Sequence, residues 1–79
     1  MDVIIYSKVN CSYCDRAKIK LQKHNPKIYI LDKDYTREEF FEKFPNAKTF
    51  PQIIINNNHV GGYHDLKKWL DFNIPDENF

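Results

Sequence analysis

Cys11 and Cys14 are the two cysteines of this 79-residue chain, and their C-x-x-C spacing brings the two sulfurs within reach of each other. A disulfide-stapled secreted mini-protein needs more cysteines, set further apart, to close useful loops. The pair is therefore read as chemistry, with thiol–disulfide exchange as the first candidate. A four-cysteine zinc site is excluded by count, whereas Cys11-x2-Cys14 with His59-x4-His64 has ligand-like spacing. The stretch between Cys14 and His59 far exceeds a finger linker, and zinc would leave the strands and helix inside it unexplained. His59 and His64 are accordingly read as hairpin and loop residues. Two small buried hydrophobes are the bland reading of the cysteines.

The elements that must position the pair follow from periodicity. Val3-Ile4-Ile5-Tyr6 is a short apolar run of the kind a central strand shows. After polar Ser7 to Asn10, the residues Cys14, Ala17 and Leu21 recur at helical spacing, which predicts a helix from about Ser12 to Lys23. His24-Asn25-Pro26 breaks it, and Lys27 to Leu31 reads as a second strand. Thr36 and Glu39 form a capping box for a helix carrying Phe40, Phe41 and Phe44 as core, which Pro45-Asn46 ends. Pro51 to Ile55 reads as a strand, Asn56 to Asn58 as a turn, and His59-Val60 as the returning arm of a hairpin. Gly61-Gly62 supplies backbone freedom before a last helix, Asp65 to Leu70, packed through Leu66, Trp69 and Leu70.

The resulting order is β-α-β-α-β-β-α. Its first two strands should be parallel across a helical crossover and its last two an antiparallel hairpin, in a three-layer α/β sandwich around a mixed sheet. Such an order sets Cys11 at a strand-to-helix junction, beside free helix N–H groups and the positive end of the dipole, which favour its thiolate. Cys14, one turn inside, should be more buried and able to close a small disulfide with Cys11. The first sulfur would attack and the second resolve. Lys8 can add positive charge nearby.

The chain resembles the glutaredoxins through Lys8-Val9-Asn10-Cys11-Ser12-Tyr13-Cys14, Thr49-Phe50-Pro51 and Gly61-Gly62-Tyr63-His64-Asp65, in that order and over nearly its whole length. The Trp-Cys-Gly-Pro-Cys of a thioredoxin proper is absent. The resemblance implies a thioredoxin fold with a four-stranded mixed sheet and a single domain over residues 1–79. It also implies a glutathione-dependent oxidoreductase that reduces protein disulfides and glutathione mixed disulfides through Cys11 and Cys14. Pro51 would be a cis-proline facing the dithiol, and the backbone of Phe50 would pair with the cysteinyl part of glutathione. Lys8 and Arg37 would hold the glycine carboxylate, with Tyr13 flanking the groove and Thr49 also among the glutathione-binding residues, while Gly62, His64 and Asp65 would hold the γ-glutamyl end. Ser12 stands where Pro is commonest in the family, Phe50 where Val is usual, and His64 where Asp or Ser is usual. Ser at the position of Ser12 occurs in members that hold a 2Fe-2S cluster between two subunits, so a glutathione-ligated cluster carrier or sensor, with Cys11 as the metal ligand, is the alternative reading.

Composition sets the outer limits. At 42% hydrophobic and 15% aromatic residues the chain can pay the entropy of folding. No apolar run reaches the roughly 18 residues that span a bilayer, which points to the cytoplasm rather than a membrane. Twelve bases against eleven acids, net +1, give no reason to expect nucleic acid. Six of those bases (Lys8, Arg16, Lys18, Lys20, Lys23, Lys27) fall in the first 27 residues against Asp2 and Asp15, so the cysteine-bearing third is locally positive. The expected partners are glutathione and disulfide-containing or glutathionylated proteins, met by a monomer in the apo form. Ribonucleotide reductase is one partner the resemblance implies, and no residue here selects it.

Overall fold

In the computed structural model, which describes residues 1–73, the chain runs through β1 (Val3–Ser7), α1 (Ser12–Leu21), β2 (Lys27–Ile30), α2 (Arg37–Lys43), β3 (Gln52–Ile55), β4 (Asn58–Gly61) and α3 (Tyr63–Asn73). The expected end of the domain at residue 79 lies outside the described residues. The sheet order is β2-β1-β3-β4, so β1 is interior as its apolar run requires. β1 pairs parallel with β2, Ile5 opposite Ile28, and antiparallel with β3, Ile5 opposite Ile53. β3 and β4 form the antiparallel hairpin, turned by Asn56 and Asn57, both with positive φ.

Strand alternation sorts the apolar side chains into two cores, one on each face of the sheet. Val3, Ile5, Ile53 and Ile55 pack with Ala17 and Leu21 of α1 and Leu66 of α3. Ile54 packs on the other face with Tyr35, Phe40 and Phe44, flanked by Ile4, Tyr6, Tyr29 and Phe50. The layers are therefore α1 with α3, the sheet, and α2, which is the expected α/β/α sandwich of a thioredoxin fold.

Three expectations are corrected. The first helix stops at Leu21 and tightens into one 3-10 turn, Gln22–His24, because Asn25 takes a left-handed conformation (φ 49°) ahead of Pro26. The last helix starts at Tyr63, two residues before Asp65. Phe41 is 43% exposed, since it stands about 100° around the helix from buried Phe40 while Phe44 returns to the core side. The capping box is present in full: Thr36 Oγ1 accepts the Glu39 N–H at 3.1 Å and Glu39 accepts the Thr36 N–H at 2.8 Å.

Candidate active site

β1 ends in the sheet and must turn sharply to start α1, and Asn10 makes that turn in a left-handed conformation, φ 54°. An Asn one residue before a helix cap is the sequence signal for such a turn, because its side chain tolerates that region. Cys11 then occupies the N-cap of α1 with extended backbone, and its sulfur accepts the Cys14 N–H at 3.2 Å. Cys11 and Cys14 are joined as a disulfide. Their exposures differ as the helix geometry requires: Cys11 is partly exposed, whereas Cys14, facing the core with Ala17 and Leu21, is 0% exposed.

The second wall comes from the segment before β3. The Phe50-Pro51 peptide is cis, Pro51 is fully buried, and the Phe50 carbonyl oxygen lies 3.9 Å from the Cys11 sulfur. The Phe50 ring is stacked on Phe40 at 4.5 Å, and the Lys8 ammonium lies 5.3 Å from the Phe50 ring centroid. Tyr13, 43% exposed, forms a rim of its own with Tyr63 at 5.4 Å, His64 at 5.5 Å and the Arg16 guanidinium at 5.5 Å. Tyr63 and Arg16 are not among the site residues expected from sequence. The signal available was positional: Arg16 lies three residues after Tyr13 on one helix face.

The third wall is the β4 to α3 turn. A bulge in β4 opposite Ile53 and Ile54, with Gly61 at φ 119°, redirects the chain into α3. A side chain at Gly61 is disfavoured on two counts, the positive φ and a Cβ that would sit 2.5 Å from the Asp65 carboxylate and force it to shift. Asp65 Oδ2 accepts the Gly62 N–H at 3.1 Å, so this carboxylate closes the first turn of α3. A Cβ at Gly62 would meet Thr49 Oγ1 at 3.2 Å and the Pro51 carbonyl at 3.6 Å, which puts the turn against the Thr49-Phe50-Pro51 wall. Beside it a cavity of about 350 Å³ is bordered by Lys48, Thr49, Gln52, His59, Gly62 and Asp65. His59 is more engaged than a free hairpin residue, with Nε2 2.7 Å from Gln52 Oε1 and its ring on Phe44.

Arg37 is the expected site residue with no tie to this arrangement. It opens α2, is exposed, and among the described residues its side chain makes no hydrogen bond or ion pair; its charge acts on the Tyr35 hydroxyl. Tyr35 is itself structural. Its buried hydroxyl donates to the Ser7 carbonyl at 2.6 Å, and burial, reinforced by Tyr6 and Asp32, pushes its pKa up to about 12. Burial also raises Tyr6, with Tyr29 and Glu39 adding to the shift. Among the described residues no three His, Cys, Asp or Glu side chains gather to hold a metal ion. No helix of the described residues is long and apolar enough to cross a membrane.

A cysteine pair that closes a disulfide at a helix start, beside a cis-proline on a β-α-β-α-β-β-α sandwich, defines the class: a thiol–disulfide oxidoreductase of the thioredoxin fold. The glutaredoxin family model matches residues 3–60, and the chain belongs to the glutaredoxin family. It is 45% identical over 69 residues to Glutaredoxin 1 of Rickettsia typhi, an alignment covering 81% of this chain and 65% of that relative. The fold superposes on reduced Escherichia coli glutaredoxin with a TM-score of 0.77 at 28% identity, covering 96% of this chain and all of the other. It also matches the fold of a buckwheat glutaredoxin–glutathione complex, TM-score 0.72 at 20% identity, over 87% of this chain and 67% of that one.

Proposed function

We propose that the protein is a glutathione-dependent oxidoreductase that reduces protein disulfides and removes glutathione from glutathionylated proteins, with Cys11 as nucleophile and Cys14 as resolving thiol. The observation that carries this reading is the asymmetry of the pair: one cysteine partly exposed at a helix N-cap, the other fully buried one turn in. When the pair is reduced, the Cys14 N–H and the helix dipole favour a thiolate on Cys11, and the same features make it a good leaving group.

On a glutathionylated protein, the Cys11 thiolate attacks the glutathione sulfur. A Cys11–glutathione disulfide forms, the protein thiolate leaves and takes a proton, and a second glutathione thiolate then attacks to give glutathione disulfide and free Cys11. On a protein disulfide, Cys11 attacks one sulfur and Cys14 attacks the mixed disulfide. The protein leaves as a dithiol, and two glutathiones restore the Cys11-Cys14 pair.

Recognition of glutathione is polarised in this reading. Lys8, with Arg37 as the weaker member, takes the glycine carboxylate, and the Phe50 backbone pairs with the cysteinyl unit. Tyr13 and Thr49 border the groove, Pro51 fixes the wall, and the Gly62 turn with His64 and Asp65 takes the γ-glutamyl end. What supports it is the placement of Lys8 over Phe50 and of Gly62 against Thr49 and Pro51. The partners are glutathione and proteins bearing disulfides or glutathione, ribonucleotide reductase among them, and a cytoplasmic thiol pool is the setting such a dithiol needs.

The test is a pair of variants. Cys11→Ser abolishes turnover of every disulfide. Cys14→Ser spares deglutathionylation, which needs one sulfur, and lowers direct reduction of protein disulfides by at least about tenfold, since the mixed disulfide loses its internal attacker. Full activity of Cys11→Ser in a glutathione-coupled assay would sink the reading.

A further inference from the structure

Lys8 is exposed, and among the described residues it makes no ion pair. A lysine in that position ordinarily spreads its ammonium over many rotamers. Here the ammonium is 5.3 Å from the Phe50 ring centroid, within the roughly 6 Å over which the face of an aromatic ring attracts a cation.

The ring beneath it is clamped. Phe50 lies nearly parallel to Phe40, at 4.5 Å and 22°. Phe40 is in turn buried and held by Tyr35 at 5.9 Å and 25°, and by Phe44 at 5.2 Å. Phe50 cannot swing without disturbing the α2 side of the core. Its backbone is tied to the dithiol, because its carbonyl oxygen lies 3.9 Å from the Cys11 sulfur. The stack therefore runs without a break from the core, through a ring whose own main chain borders the reactive sulfur, to a cation with no anion of its own among the described residues.

We propose that Phe50 is a positioning residue, a platform that holds the Lys8 ammonium at the rim of the dithiol and so sets the preference for thiols bearing a carboxylate on that side. The inference rests on the glutathione reading above and deepens it. A smaller aliphatic residue at position 50 would keep the backbone beside Cys11 but could not both reach Phe40 and offer a ring face to the ammonium. Lys8 would then remain charged and lose its fixed place.

The experiment compares two reporters in the wild-type protein: a glutathione mixed disulfide and the same compound with the glycine carboxylate converted to an amide. The wild type should favour the acid in kcat/KM. Phe50→Val should lose about threefold of that preference, as expected for one exposed cation–ring contact, with the change carried by KM for the acid. Phe50→Tyr, which keeps the ring, should retain the preference. Lys8→Met should remove it, and Phe50→Val added to Lys8→Met should change it no further. Thermal midpoints separate these effects from loss of packing, because a stability defect moves both reporters together. An undiminished preference in Phe50→Val, or additivity with Lys8→Met, would overturn the platform while leaving the glutathione reading intact. Failure of the wild type to turn over either reporter while it still reduces a protein disulfide would remove the glutathione reading and, with it, the platform.

Discussion

Asp65 shows how one side chain at a helix start can carry two jobs. Its carboxylate accepts the Gly62 N–H at 3.1 Å, the acidic half of a capping box whose other half is missing because Gly62 has no side chain. It is also the residue that the proposed glutathione site assigns to the ammonium of the γ-glutamyl unit. Replacing it with Asn keeps an oxygen for the Gly62 N–H and deletes the charge from the positive end of α3. The expected cost in stability is about 0.5–1 kcal/mol, read from chemical denaturation. A further loss of about 5- to 30-fold in kcat/KM is expected on a glutathione mixed disulfide and not on a disulfide that lacks glutathione. Equal losses on both substrates would reduce Asp65 to a cap.

At the scale of elements, the segment between β2 and α2 ties the outer strand to the loop that carries Cys11. Asp34 accepts the Ile30 N–H at 2.9 Å, while the Lys33 and Asp34 N–H groups donate to the Ile30 carbonyl, so the outer edge of β2 is partly closed by its own turn. Tyr35 then reaches across to the Ser7 carbonyl, at the end of β1 and just before Lys8. Ser7 also receives the Leu31 N–H at 2.9 Å, so Tyr35→Phe leaves no orphaned acceptor and should cost about 1 kcal/mol at neutral pH. The pH dependence has a definite sign. With the folded pKa raised to about 12 from 10.0, this contribution is complete below pH 10 and is lost as pH rises toward 12, because the unfolded chain ionises first. Stability measured across that window should fall less steeply in Tyr35→Phe than in the parent; parallel curves would mean that Tyr35 does not carry the alkaline limb.

Over the whole molecule, stability depends on a sheet with a core on each face, and a chain this short has little to spare. Leu66 is fully buried and joins α3 to the core made by β1, β3 and α1. Leu66→Ala should cost about 2–5 kcal/mol by lost burial and the cavity left behind, a large part of the total. Because Leu66 follows Asp65 and its N–H bonds the Gly62 carbonyl, the same change loosens the turn at the third wall of the site. Denaturant midpoints should fall while the m-value holds. Activity at low temperature, where the variant stays folded, should decline more on glutathione mixed disulfides than on small disulfides.

Local chemistry was legible in the chain because it is written at short range. The C-x-x-C pair, the Thr36/Glu39 capping box, the break at Pro26 and the Asn turn of the hairpin each depend on residues within a few positions of one another, and all stand where the residue types put them. The interior place of β1, its parallel pairing with β2 and the β3–β4 hairpin were legible from the apolar run Val3 to Tyr6, the helical spacing of Cys14, Ala17 and Leu21 between the first two strands, and the Asn turn, whereas the antiparallel pairing of β1 with β3 was not. Long-range packing decided the rest. That Phe50 turns in to stack on Phe40, that Lys8 rests on that ring, and that Tyr35 bonds Ser7 are contacts between residues 10 to 42 positions apart in sequence. No periodicity encodes such pairs, since they exist only once the α2 layer is laid on the sheet and the volume left over selects which side chains share it.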